Sequence, residues 1–347
     1  MQLPENKKTP IGRYGKFGLI EHLTSRISPR NESTVSLIGD DAAVIDQRDS
    51  LTLVSTDLLL EGIHFNLIYS PLKHLGYKAV IRAIADIYAM NGIPEQILVA
   101  IGISSKYAVE QLDEIYEGIS IACNKYQVDL AGGDISSSLT GLIISVTAVG
   151  YTGKNELIKR SGARSSDLIF VSGNLGASFM GLQILERERR LFEKDNKFKP
   201  DLSGYEYIIE RQLKPEFPSG LNKKLKDLGL VPTAMIDVSD GLASDLIHIC
   251  KDSDTGCKIY YDKIPVDLET SRAAEEFDLD PVIPALNGGE DHELLFTARI
   301  EDHEKYKDIP GITMIGHLTL PGLGYKLVTN EGAEVELKAQ GWENAQD

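Results

Sequence analysis

Basic residues are in short supply in this chain. Its 347 residues hold 36 Lys and Arg against 52 Asp and Glu, a formal net charge of −16, which works against unassisted binding of nucleic acid or any other polyanion. Cysteine is scarce as well: Cys123, Cys250 and Cys257 have no CxxC spacing and cannot all pair within one chain. A disulfide framework is thereby excluded and reduced thiols are expected. The histidines form no HExxH and have no cysteine partners, so a zinc centre is not indicated. GxSxG, GxxxxGK[ST] and GxGxxG are all missing, which removes the usual serine-hydrolase, P-loop and dinucleotide signatures. No apolar run approaches the roughly 18 residues of a membrane span, and the opening MQLPENKKTP lacks the apolar core of a signal peptide. A cytoplasmic protein with neither membrane nor nucleic-acid partners is expected.

What remains is an ordinary folded composition, 42% hydrophobic and 25% charged. At about 150 residues per domain it suffices for two domains with separate apolar cores. Apolar, β-branched runs at 35–45 and 51–56, parted by an Asp-Gln-Arg-Asp-Ser turn, predict two strands of a hairpin or meander. Leu72, Leu75, Ala79, Ile84 and Ile87 recur near helical spacing up to the stop at Asn91-Gly92-Ile93-Pro94. A strand at 97–103, a helix at 109–126 and strands at 128–130 and 142–151 follow. This mixture favours an α+β or layered α/β domain over a doubly wound sheet. The character changes near Gly153, which divides the chain into domains 1–152 and 153–347. The second contains strands at 167–171, 258–261, 294–298, 313–318 and 335–337, a strand-to-helix passage at 234–249 and an acidic helix at 268–277. The segment 186–200 carries ten charges in fifteen positions and reads as a solvated helix end and loop.

The informative feature is where the aspartates fall. Asp40-Asp41, Asp57, Asp86, Gly132-Gly133-Asp134 and Asp237-Val238-Ser239-Asp240-Gly241 each end an apolar stretch or sit near a helix start. Loops of that kind converge at one edge of a sheet, and the assembled carboxylates would need a countercharge such as magnesium. Any one of them alone is equally explained as a cap or turn residue; their recurrence carries the argument. Gly132-Gly133 and Ser172-Gly173-Asn174-Leu175-Gly176 permit close backbone approach to a bulky anion or, as readily, form ligand-free tight turns. Gly288-Gly289-Glu290-Asp291-His292-Glu293 adds a further acidic turn that either binds substrate or initiates the next strand, and Trp342 either stacks on a planar ring or pins the terminus.

Taken in order, Gly39-Asp40-Asp41-Ala42-Ala43, Ser55-Thr56-Asp57 through Glu61-Gly62-Ile63-His64-Phe65, Asp86-Ile87, Gly132-Gly133-Asp134, Ile236-Asp237-Val238-Ser239-Asp240-Gly241-Leu242 and Gly288-Gly289-Glu290-Asp291 resemble the motifs of the thiamine-monophosphate kinases, within the larger family that includes aminoimidazole ribonucleotide synthetase. The resemblance implies a two-domain aminoimidazole ribonucleotide synthetase-like fold, α/β and α+β, with an N-terminal mixed α/β domain forming the dimer sheet and a C-terminal α+β domain closing over the nucleotide. It also implies ATP-dependent phosphorylation of thiamine monophosphate to thiamine diphosphate, with release of ADP, by direct in-line transfer. Several magnesium ions, room for potassium, and a homodimer come with it. Residue by residue, it makes Asp41, Ser55, Thr56 and Asp57 one metal-binding group and Asp86, Asp134, Asp237 and Asp240 ligands of further magnesium ions. Gly133, Asp134, Arg160 and Ser239 become nucleotide contacts, with Arg160 also stabilising charge in the transition state. His64, Glu290 and Trp342 become substrate contacts, and no dedicated general base is implied. Another ATP-using synthetase of the same superfamily and a noncatalytic nucleotide-binding scaffold remain the alternatives.

Overall fold

The computed structural model describes residue 9 and residues 22–36, 44–45, 50–195 and 199–339. Asp40, Asp41 and Trp342 lie outside the described residues. The chain forms two compact units, one of Met1–Ile87 with Gly92–Asn155 and one of Tyr88–Asn91 with Glu156–Asp347.

In the first unit, β1 (Thr34–Ser36) and β2 (Val44–Ile45) pair with each other. β3 (Leu51–Leu60), α1 (Leu72–Ala89), β4 (Ile93–Ile103), α2 (Val109–Tyr126), β5 (Asp129–Ser137) and β6 (Ile143–Thr152) follow. Among the described residues the expected hairpin or meander with the 51–56 run is not formed: β3 is longer and runs antiparallel to β6 over its full length, from Leu51↔Thr152 to Leu60↔Ile143. The sheet order is β3-β6-β4-β5, with β4 and β5 parallel. Alternation along β3 explains its packing. Leu53 and Leu59 are buried, whereas Val54 and Leu58, on the other face, are 67% and 47% exposed.

The second unit is built on a seven-stranded sheet. Its elements are β7 (Leu168–Ser172), α3 (Ala177–Lys194), α4 (Glu206–Leu213), α5 (Gly220–Asp227), β8 (Ala234–Asp237), α6 (Leu242–Asp252), β9 (Gly256–Tyr260), α7 (Leu268–Glu276), α8 (Val282–Asn287), β10 (Leu294–Ala298), α9 (His303–Tyr306), β11 (Ile312–Thr319), β12 (Tyr325–Val328) and β13 (Glu334–Glu336). Strands lie in the order β13-β12-β9-β11-β7-β10-β8, antiparallel except for β12 with β9. Ile169, Val171 and Leu295 share a buried core with Leu246 and Ile249 of α6. Phe170 and Phe296, on alternate positions of the same strands, stack at 5.4 Å between ring centroids, and Tyr306 of α9 stacks on Phe170. A smaller cluster joins α3, α4 and α7 through Ala177, Met180, Ile184, Ile208, Ala273 and Ala274. The charged 186–200 segment is helical as far as Lys194, and although Arg189 pairs with Glu186 and Glu193, Glu188 is buried. Among the described residues, no helix is long and apolar enough to cross a membrane.

Candidate active site

Two clusters of the expected residues form, one in each unit, and each follows from local geometry. In the first, the period of two along β3 turns Ser55 and Asp57 toward α1. Arg82 and Asp86 are four residues apart and share one face of that helix. Ser55 Oγ donates to Asp86 Oδ2. Arg82 donates to Asp57 twice, Nε to Oδ2 at 3.2 Å and Nη2 to Oδ1 at 3.1 Å. Thr56, on the opposite face of β3, shares a hydrogen bond with the Thr147 hydroxyl at 3.1 Å, so its side chain does not join Ser55 and Asp57.

Gly132-Gly133-Asp134, a possible tight turn by sequence, lies in the middle of β5. A Cβ on Gly133 would come within 1.9 Å of the Val99 carbonyl, so glycine is required for β5 to lie against β4. The register runs Asp57↔Val146, Val146↔Val99, Val99↔Gly133 across the sheet. Asp57 and Gly133 thus occupy one row, about 14 Å apart at three interstrand spacings. Beyond β3, His64 Nδ1 accepts from Leu60 N–H at 3.0 Å, which leaves the proton of the neutral ring on Nε2. Glu61 braces the same loop by accepting from the Tyr107 hydroxyl and from Leu142 N–H.

In the second unit, β8 ends at Asp237 and the chain enters α6 through Ser239, Asp240 and Gly241. Gly241 has φ 101°, and a Cβ there would meet the Leu286 carbonyl at 2.8 Å, so the turn needs glycine. Asp245, in the first turn of α6, reaches back and accepts from Ser239 N–H at 3.1 Å and Asp240 N–H at 3.2 Å. The Gly288-to-Glu293 loop lies alongside, with Glu290 N–H donating to Ser239 O and His292 N–H to Val238 O. Gly289, Glu290 and His292 all adopt positive φ, a strained run of the kind that a functional loop keeps. Glu290 is therefore held against the Ser239–Asp240 turn. His292 is buried with Nδ1 3.7 Å from Asp237 Oδ2, and neither ring nitrogen has a hydrogen-bond partner among the described residues.

Burial, together with the charges of Asp237 and Asp240, pushes the Asp245 carboxyl up to about 8. Asp245 escaped sequence reasoning because an acidic residue in a first helical turn is ordinarily explained by the helix dipole. Arg82 escaped it too; its signal was the four-residue spacing to Asp86 in the otherwise apolar second half of the helix.

The Ser172-to-Gly176 turn is already supplied with an acceptor carboxyl by the protein. Asp291 is buried and accepts from Gly176 N–H at 2.7 Å and Ser178 N–H at 3.4 Å, at the head of α3. Arg211 donates to the Asp291 carbonyl at 2.8 Å and pairs with Glu293 at 3.0 Å, while Ser172 Oγ also donates to Glu293. Asp291 and Glu293 thus fasten the loop that carries Glu290. Arg160 is exposed, and its backbone is fixed where its carbonyl accepts from the Ser253 hydroxyl at 3.2 Å.

No three His, Cys, Asp or Glu side chains gather as a metal-holding group among the described residues. Magnesium at phosphate-transfer sites characteristically takes one or two carboxylates, its remaining positions filled by water and substrate phosphates. The oxygen donors of Asp237 and Asp240 fit that chemistry, with Asp245 holding the Ser239–Asp240 backbone behind them.

The family model described as AIR synthase related protein, N-terminal domain, matches residues 39–152. Thiamine-monophosphate kinase of Aquifex aeolicus is 32% identical over 330 residues, covering 95% of this chain and 98% of the relative. The Bacillus subtilis thiamine-monophosphate kinase is 34% identical over 318 residues, covering 89% of this chain and 90% of the relative. A solved structure described as AaThiL complexed with AMPPCP and TMP is 31% identical with a TM-score of 0.73, covering 99% of this chain and 98% of that one.

Proposed function

The chain belongs to the thiamine-monophosphate kinases, and from that membership we propose how its residues carry the ATP-dependent phosphorylation of thiamine monophosphate to thiamine diphosphate. The observation that carries the reading is the pairing of two loops in the second unit, which brings Glu290 against the Asp237-to-Asp240 turn with Asp245 beneath it. Asp237 and Asp240, with Asp245 behind them, hold magnesium there. Asp86 and Asp134, with Asp41 and Ser55, hold it in the first unit, where the Asp57 carboxylate also carries Arg82. When bound, magnesium supplies charge neutralisation on the polyphosphate.

The acceptor phosphate is already anionic near neutral pH, so the chain needs no general base and its task is alignment. Gly133 and Ser239 bring backbone close to the nucleotide. Arg160 places a permanent guanidinium charge on the transferring phosphoryl oxygens, where charge must be stabilised during in-line attack. His64, its Nδ1 held by Leu60 N–H, offers Nε2–H to the acceptor, and Glu290 and Trp342 complete the acceptor contacts. The uncovered face of β3, with Val54 and Leu58 exposed, is the dimer face of a cytoplasmic homodimer. The test is an assay of the purified chain with ATP, magnesium and thiamine monophosphate, resolved by mass. Thiamine diphosphate and ADP in equal amounts, lost on chelation, are expected; absence of the diphosphate sinks the proposal.

A further inference from the structure

His292 is a buried ring for which the site described above has no task. It is 2% exposed, and neither Nδ1 nor Nε2 has a hydrogen-bond partner among the described residues. Leaving such groups unpaired costs stability and native interiors keep few of them, so this ring points to a partner that it meets only in another state of the site. The backbone places it. Asp237 lies opposite Leu294 in the register of β8 with β10, Val238 N–H donates to Glu293 O at 2.7 Å, and His292 N–H donates to Val238 O at 2.9 Å. The residues on either side are fixed as well, Asp291 by Gly176 N–H and Glu293 by Arg211. Under these restraints Nδ1 faces Asp237 Oδ2 at 3.7 Å, and Asp237 is itself only 3% exposed. A hydrogen bond needs about 2.7–3.2 Å, so a shift of roughly 0.5–1 Å between the two side chains closes the gap.

Resting on the kinase reading above, we infer that His292 is a positioning residue for Asp237: in the metal-loaded chain its Nδ1–H donates to Asp237 Oδ2 and reserves the other carboxylate oxygen for the ion. A carboxylate that holds a metal is free to rotate unless a donor fixes it, and donors behind metal ligands contribute to affinity for that reason. His292 touches neither nucleotide nor acceptor in this role. It acts through Asp237 alone.

Manganese binding to the purified full chain without nucleotide, followed by the paramagnetic resonance of free Mn2+, tests this directly. Asp237→Asn identifies the class of bound manganese to which that carboxylate contributes. His292→Phe fills the space of the ring without a donor and weakens the same class by about 10–100-fold. His292→Asn sets an amide N–H near the place of Nδ1, suits the φ of 51° at this position, and binds manganese as the parent does. A role in packing alone predicts the reverse order, because Phe keeps the volume and Asn leaves a cavity. Magnetic resonance of the ring nitrogens in the magnesium-loaded chain should find the proton on Nδ1 of His292.

If His292→Phe binds manganese as tightly as the parent, if His292→Asn is as weak as Asp237→Asn, if Nδ1 carries no proton, or if Asp237→Asn alters no class, the inference is overturned. Should His292→Phe fail to fold, as judged by its melting curve, the His292→Asn arm and the ring-nitrogen resonance still decide. The kinase reading fails separately, by absence of thiamine diphosphate from the parent.

Discussion

Single residues in the second unit separate chemistry from scaffolding. Asp240 is exposed at the turn between β8 and α6, and its backbone rather than its carboxylate makes the internal bond to Asp245. Asp240→Asn is therefore expected to leave the melting temperature nearly unchanged while lowering magnesium-dependent kcat by about a hundredfold, the scale of losing a preorganised charge in a transition state. Equal kcat in variant and parent across a magnesium titration would remove Asp240 from the site. Asp291 behaves differently. Burial, opposed by the Arg211 charge, pushes its carboxyl from 3.8 up to about 7. The folded chain keeps this proton over a range in which the unfolded chain has lost it, so its contribution to stability falls as pH rises from about 4 to about 7. Asp291→Asn cannot titrate, and its stability relative to the parent should improve across that window. Urea denaturation at about pH 5 and about pH 8 measures this, and a difference that stays constant would refute it. The aspartates of this site were legible as residues, but Asp245 was not, because its role depends on a side chain turning back across the loop.

At the scale of elements, the first unit depends on an unusually close approach of α1 and α2. A Cβ on Gly76 would lie 2.0 Å from the Ile115 carbonyl, and one on Gly118 would lie 1.8 Å from that of Lys73. Helix propensity alone makes Gly118→Ala stabilising by up to about 1 kcal/mol. Overpacking at a backbone contact makes it destabilising by about 1–3 kcal/mol or more. The second effect wins here because the obstacle is a carbonyl and not a flexible side chain. Chemical denaturation of Gly118→Ala should show a lower midpoint, and a higher one would show that the helices can separate without cost. Both helices were legible from apolar spacing, including the 109–126 bounds of α2. The partner of β3 was not. A local turn suggested the preceding run, while the ten-residue pairing with β6 comes from a segment some 90 positions later. The same kind of distant pairing drew Gly132-Gly133 into β5 and made a strand of what composition alone presents as a turn.

For the whole molecule, the sheet face bearing Val54 and Leu58 sets the assembly prediction. Val54→Glu puts a charge on the apolar face that the proposed dimer would bury, and should yield monomer at concentrations where the parent is expected to sediment as a dimer. Leu139 is 99% exposed but lies between β5 and β6, outside that face. Leu139→Glu should leave the sedimentation coefficient unchanged. Equal behaviour of the two variants would remove the β3 face from the interface. The net charge of −16 belongs to this scale as well. Part of it is concentrated at Asp237 and Asp240, which add to burial in raising the proton affinity of Asp245, and the rest is distributed in ways that keep a folded chain dispersed in water.

By itself the sequence determined the two-part organisation, most helices and strands, and the order of the acidic motifs, because these depend on local periodicity, turn residues and short spacings. Tertiary structure decided which carboxylates acquire which partners. Asp57 meets Arg82, Asp86 meets Ser55, Asp245 meets the Ser239–Asp240 backbone and Asp291 caps α3. Each partnership joins segments whose distance and orientation are set by strand register and helix packing, and the charge state of a carboxylate depends on those neighbours far more than on its place in the chain.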